Sequence, residues 1–343
     1  QSAGAEPGPA CYGRGGQEPT VTDADLVMGY LNPDYFLGGE LPLDRQAGER
    51  AIGERLAAPL GLSLIEAAAG IYRVVNENMA TAARVHIAEH GKDPRNYTLI
   101  AFGGAGPGHA RDVARRLGIR RVLVPRSAGA LSAIGLLIAP PVMDFVRSYV
   151  TSVEQIDWEF LESMFAEMAA QGVEALKRVG ADPAQITLER AADMRYVGQG
   201  RELTVELPAE LLAARRPEGL VTAFSATYQR LFNRRLTDVP VEALNWRLVV
   251  SAPAPRVSLG QRTAHGASLA DARKKPRQAY FPEVQGFLET AVYDHDRLFP
   301  DVTFEGPAII EQRESTTVVG SGERVSVDPY LNLVIDLNGG RLG

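Results

Sequence analysis

Four glycines fall within six positions of the run Ala101-Phe102-Gly103-Gly104-Ala105-Gly106-Pro107-Gly108-His109-Ala110. A short apolar stretch, Tyr97 to Phe102, leads into the run, and a helical pattern, His109 to Leu117, leads out of it. A strand that turns on glycines into a helix start offers free backbone N–H groups and the positive end of a helix dipole, which suits a phosphate. The glycines at 103, 104, 106 and 108 fit neither Gly-x-Gly-x-x-Gly nor a Walker loop, since no Gly-Lys-Ser/Thr follows. A tight strand-to-helix turn that holds no ligand accounts for the same residues. Both readings stand at this point.

Other chemistry-bearing residues are sparse. The histidines are His86, His90, His109, His265 and His295. His86 and His90 have the i, i+4 spacing of a metal pair, but Ile87 stands where a metalloprotease carries Glu, so they read as a helix-surface pair and no metal site is expected. Cys11 is the single cysteine, which excludes an intrachain disulfide and a cysteine-built metal centre. No activating histidine lies near it in sequence, so it reads as a buried structural thiol.

The elements that must position these groups follow from capping and periodicity. Thr22 and Asp23 can cap a helix through Asp25, Leu26, Val27 and Leu31, ended by Pro33. Asp44 caps a second helix. Ser63 opens a long third one, whose stripe runs Ile65, Ala68, Tyr72, Val75, Met79, Ala82 and Ile87. A strand at 97–102, a helix at 107–117, a strand at 121–124 and a helix at 129–137 then alternate, as in an α/β fold with a parallel or mixed sheet. The small residues Ser127 to Gly135 suit close helix packing or a ligand. Beyond Pro140-Pro141 the order is strand (142–152), helix (154–179), two strands (186–197, 201–207), helix (218–234) and strand (241–254), an α+β region. Residues 255–279 read as a linker, with Arg273-Lys274-Lys275 a solvated charge cluster. Short strands with Gly/Pro turns fill the rest. The expected domains are therefore 1–141, 142–255 and a small β-rich domain at 256–343.

The net charge of −6 argues against a nucleic-acid partner. No apolar run reaches the roughly 18–20 residues of a membrane span, and no charged-then-apolar leader opens the sequence. A cytoplasmic location is expected.

Six stretches, in order, resemble the hydantoinase A/5-oxoprolinase family. They are Gly8-Pro9-Ala10-Cys11-Tyr12-Gly13-Arg14-Gly15-Gly16, Thr20 to Ala24, Tyr35-Phe36-Leu37-Gly38-Gly39, Ala101 to Pro107 with His109, Arg195-Tyr196-x-Gly198-Gln199, and Gly306-Pro307-Ala308-Ile309-Ile310-Glu311 with Ser315-Thr316-Thr317-Val318. The resemblance covers essentially the whole chain. Gly108 departs from the bulky apolar residue it leads one to expect between Pro107 and His109. The family includes ATP-dependent hydantoinases, 5-oxoprolinase and the large subunits of acetone and acetophenone carboxylases. Its members are about twice this length, and their first half carries acidic-Gly-Gly-Thr loops absent here.

The resemblance implies a C-terminal half, beginning with the second lobe of an actin-like (sugar kinase/Hsp70-type, ASKHA) ATP-binding module. It implies ATP as cofactor, with Mg²⁺ held mainly by the upstream half. Backbone at Gly103, Gly104, Ala105, Gly106 and Pro107 would contact the nucleotide. Asp23, Asp25 and His109 become catalytic candidates, although helix capping accounts for Asp23 alone and an ordinary histidine accounts for His109. Arg195, Tyr196 and Gln199 either bind substrate or fix a domain interface. The implied reaction is phosphorylation of a cyclic-amide carbonyl to drive ring-opening hydrolysis of a lactam or hydantoin. The alternatives are ATP-dependent carboxylation of a ketone and a non-catalytic scaffold subunit. The implied partners are the upstream half and a hydantoinase B-like subunit.

Overall fold

A computed structural model describes residues 2–234, 236, 239–258, 260–261 and 268–337; His265 lies outside them. The chain forms two compact units, one of Gln1–Leu136 with Ser258–Gly343, the other of Leu137–Val257.

The first unit holds two sheets. One runs, from edge to edge, through Leu99–Ile100, Arg121–Val124, Leu333–Asp336, Arg324–Val327 and Thr303–Glu305. Leu99–Ile100 and Arg121–Val124 pair in parallel, joined by the Gly106–Leu117 helix, as the strand–helix alternation predicts. The remaining neighbours are antiparallel. The other sheet runs through Thr316–Val319, Ala308–Glu311, Gly286–Asp294 and Arg273–Phe281.

This topology corrects the expected third domain. Leu333–Asp336 pairs residue by residue with Arg121–Val124, from Leu333 opposite Val124 to Asp336 opposite Arg121. The last third of the chain therefore completes the first unit's sheet. Its core mixes both ends of the sequence, with Val122, Val124 and Leu117 among Val325, Leu333 and Ile335.

Three local readings also change. The linker gives way to a strand at Arg273, and its Pro276 sits where the register shifts on an edge strand, a place that tolerates a missing N–H. The early helix is Val21–Val27, capped by Thr20 rather than by Thr22 or Asp23. The long helix, Leu64–Glu89, has the expected Ser63 cap, but it buries Ala68, Tyr72, Asn76 and Ala80 and leaves Met79 outside. Its buried face advances by four residues and carries one polar side chain.

The second unit is a four-stranded sheet in the order Val142–Ser152, Val241–Ser251, Thr187–Tyr196, Leu203–Glu206, all antiparallel. The helices Trp158–Arg178 and Pro217–Phe232 contribute Phe165, Met168 and Phe224 to a core around Trp246. No single helix among the described residues is long and apolar enough to cross a membrane.

Candidate active site

Asp23 and Asp25 are two residues apart on one short helix and so point to different sides of it. Their fates differ. Asp23 is fully buried, and its two oxygens accept from Cys11 N at 2.8 Å, Ala10 N at 3.3 Å, Thr20 N at 2.9 Å and Thr20 Oγ1 at 2.7 Å. Together with Thr20 it closes a capping box. All these donors belong to the turn and cap beside it, so Asp23 fastens the Ala10–Tyr12 turn to the helix. Cys11 lies in that turn. Burial and the neighbouring Asp23 push its thiol well above the usual range, which makes it a poor nucleophile.

Asp25 faces His109, with Oδ2 3.2 Å from Nε2. Its other oxygen, Oδ1, is buried without a hydrogen-bond partner, and Asp25 lines a cavity of about 410 Å³. His109 comes from the first turns of the Gly106–Leu117 helix, stacked on Tyr72 at 5.0 Å between ring centroids and 25° between planes. Its Nδ1 lies 2.9 Å from Asn76 Oδ1. Asn76 Nδ2 in turn donates to Asp112 at 2.9 Å, and Asp112 also accepts from Arg116 Nε at 2.9 Å. Burial disfavours the charged imidazolium, but the charge and hydrogen bond of Asp25, helped by Asp112, outweigh it and raise the His109 pKa.

The glycine turn forms another wall of the same cavity. Gly103 takes a left-handed conformation with φ 90° and donates to Ala128 O, which turns the chain sharply after the strand. Gly104 lies against Glu314, whose carbonyl would stand 3.2 Å from a Cβ added there. The glycines thus admit the loop from Gln312 to Ser315 close to the helix start. Gly104, Ala105 and Gly108 line the cavity with Ser315 and Thr316, while Gly103, Gly106 and Pro107 do not. Tyr12, Tyr30, Leu31, Phe36 and Leu41 give the cavity an apolar wall.

The remaining sequence candidates lie elsewhere. Arg195 pairs with Glu242 at 2.7 Å, Tyr196 is buried with its hydroxyl bonded to Leu236, and Gln199 bridges Tyr196 N and Tyr228 OH. These contacts all fall inside the second unit. His86 and His90 are exposed neighbours. Among the described residues no group of three or more His, Cys, Asp or Glu side chains is placed to hold a metal ion.

Sequence reasoning missed Asn76, Tyr72's role and the aromatic wall. The signal for Asn76 was present, since a polar residue at the four-residue spacing of a buried helix face needs a partner.

The family model described as hydantoinase/oxoprolinase matches residues 1–144, and that for the hydantoinase/oxoprolinase C-terminal domain matches 151–335. The chain is similar to caprolactamase subunit alpha of Pseudomonas jessenii, 34% identical over 96% of this chain and 48% of that one. It is also similar to the acetophenone carboxylase gamma subunit of Aromatoleum aromaticum, 33% identical over 96% of this chain and 46% of the relative. The crystal structure of the Pseudomonas jessenii ATP-dependent caprolactamase superposes with a TM-score of 0.74 at 33% identity, covering 98% of this chain and 49% of that chain. A nucleotide-free acetone carboxylase structure gives 0.75 at 28% identity, covering 95% and 48%. The chain spans about half the length of the curated relatives it matches. It belongs to the hydantoinase/oxoprolinase family.

Proposed function

We propose that this chain is the C-terminal part of an ATP-dependent enzyme that phosphorylates the carbonyl of a cyclic amide and so drives ring-opening hydrolysis. The cavity beside the glycine turn is where the organic substrate sits in this reading. The observation that carries it is Asp25, which lines the cavity with one oxygen engaged by His109 and the other buried without a hydrogen-bond partner. A carboxylate held in this way accepts or returns a proton at a reacting group. Gly104 and Ala105, at the start of a helix, and the hydroxyl of Thr316 suit the oxygens of a transferred phosphoryl group. The apolar wall suits the hydrocarbon part of a lactam.

ATP, named in the caprolactamase and acetone carboxylase structures, is the phosphoryl source in this proposal. Mg²⁺ accompanies ATP in this proposal, with its ligands assigned mainly to the upstream half, as the family resemblance implies. The parallel strand–helix–strand unit at 99–124 supports reading the first unit as the second lobe of an actin-like module. Partners follow the relatives, which are named as subunits: the upstream half and a hydantoinase B-like subunit. A second reading, ATP-dependent ketone carboxylation, is favoured by the acetophenone carboxylase relative and by the aromatic wall, which fits an aryl ketone equally well.

The test is ATP turnover by the full-length subunit with its partner, against a panel of lactams, hydantoins and ketones with and without bicarbonate. Turnover stimulated by a lactam or hydantoin supports hydrolysis. Bicarbonate-dependent stimulation by a ketone moves the second reading to first place, and an ATP rate indifferent to every compound overturns both.

A further inference from the structure

The hydrogen-bond chain behind Asp25 has a direction, which follows from counting donors and acceptors. Asp112 accepts from Arg116 Nε at 2.9 Å, so the group that meets it from Asn76 is the amide nitrogen, 2.9 Å away. That leaves Asn76 Oδ1, an acceptor only, facing His109 Nδ1 at 2.9 Å. Nδ1 therefore carries a proton. The second ring nitrogen, Nε2, faces Asp25 Oδ2 at 3.2 Å and is the site at which His109 gains and loses its titrating proton. Asn76 is fully buried in the middle of the Leu64–Glu89 helix, where apolar packing would otherwise be expected.

We propose that Asn76 is a positioning residue, oriented by Asp112, that holds His109 in its Nδ1–H form and thereby aims Nε2 at the cavity carboxylate. It touches neither the cavity nor the reacting atoms; it acts through His109. The groups facing the imidazole are Asp25 from the Val21–Val27 helix, Asn76 and Tyr72 from the long helix, and Asp112 on its own helix. Tyr72 stacks on the ring and spends its hydroxyl on Gly108 O at 3.2 Å, so Asn76 alone addresses Nδ1 among these. The same logic orients the histidine of a catalytic triad, where a buried acceptor fixes which nitrogen carries the proton. Only the catalytic consequence rests on the function proposed above.

The test uses selective ¹⁵N-histidine NMR on this chain, with His109 assigned by H109Q. Two substitutions act in opposite directions. N76L removes the acceptor, so the fixed Nδ1–H signature disappears and the midpoint of imidazole titration falls by about one pH unit, tenfold in the protonation equilibrium. N76D keeps an acceptor and adds a charge, so the Nδ1–H signature survives and the midpoint rises. Y72F leaves both readouts in place. In the full-length enzyme, the pH profile of turnover follows the same two directions while KM for ATP stays unchanged. A His109 spectrum and titration unmoved by N76L, or moved the same way by both variants, overturns the proposal; N76D alone decides if N76L does not fold. Because the NMR readout needs no substrate, an inactive enzyme with the expected spectra refutes the function and leaves the positioning role standing.

Discussion

Gly129 lies so close to Glu314 that a methyl group added to it would stand 2.3 Å from the Glu314 Cβ and 2.8 Å from its carbonyl oxygen. The small-residue run from Ser127 to Gly135 is thereby explained in part as packing: it admits the loop that brings Gln312, Ser315 and Thr316 to the cavity. G129A is expected to destabilise the protein by about 1–3 kcal/mol, the usual cost of overpacking, and to lower turnover by displacing that loop. G135A meets no heavy atom within 4 Å and is the control, expected to be neutral or to stabilise the Leu131–Ile138 helix slightly. Thermal melts and substrate-dependent ATP turnover of the two variants check the pair.

Asp23 and Asp25 separate stability from chemistry. D23A strips the acceptor from four donors and a capping box, so a loss of about 2–4 kcal/mol is expected, with activity falling as the fold does. D25N keeps the shape beside His109 and is expected to lower turnover about 10²–10⁴-fold, with ATP affinity retained. Denaturant melts beside steady-state kinetics distinguish them. A folded D25N enzyme with full turnover removes Asp25 from the mechanism.

His109 links folding to pH. Its pKa is raised in the folded state, so its stabilising contribution is fully present below the unfolded value of about 6.5 and is lost as pH climbs through the higher folded value. Between those limits the wild type is expected to lose stability relative to H109Q. The measurement is the difference in unfolding free energy between the two proteins from pH 5 to 9; a difference that stays constant across that range contradicts the assignment.

Glu311 supplies the opposite dependence. It is 2% exposed and pairs with Lys274 and with Arg277 at 2.6 Å, while Arg277 also donates to Gly29 O and Tyr30 O. Burial alone would raise the Glu311 pKa, but hydrogen bonds and charge from the two cations outweigh it and hold the carboxyl below its usual range. Its contribution is therefore present above the unfolded value of about 4.3 and is lost as pH falls through the folded value. E311Q leaves two cations facing a neutral amide and is expected to cost about 3 kcal/mol at pH 7, the low end for breaking a buried pair because both cations keep partial access to water. The deficit shrinks in melts run toward pH 3.

Much of the local structure was legible in the sequence because it is made by neighbours. The Ser63 and Asp44 caps and the strand at 142–152 depend on residues a few positions apart, and all three stand where the sequence placed them. The six ordered motifs also carried the family, because they report ancestry and need no geometry.

What the sequence left open was every choice made over distance. Arg273-Lys274-Lys275 read as a solvated cluster, since nothing local announces that Lys274 pairs with Glu311 across the sheet. The last strand read as part of a separate domain because its partner, Arg121–Val124, lies about two hundred residues earlier. Two aspartates two positions apart were both candidates until helix geometry sent one to the Cys11 turn and the other to His109. Asn76 passed unremarked beside an apolar stripe, because only the fold brings its face to His109 and Asp112. Caps and periodicity act within a turn or two of chain, whereas strand pairing, burial of charge and the assembly of a site depend on which surfaces meet, and only the folded structure decides that.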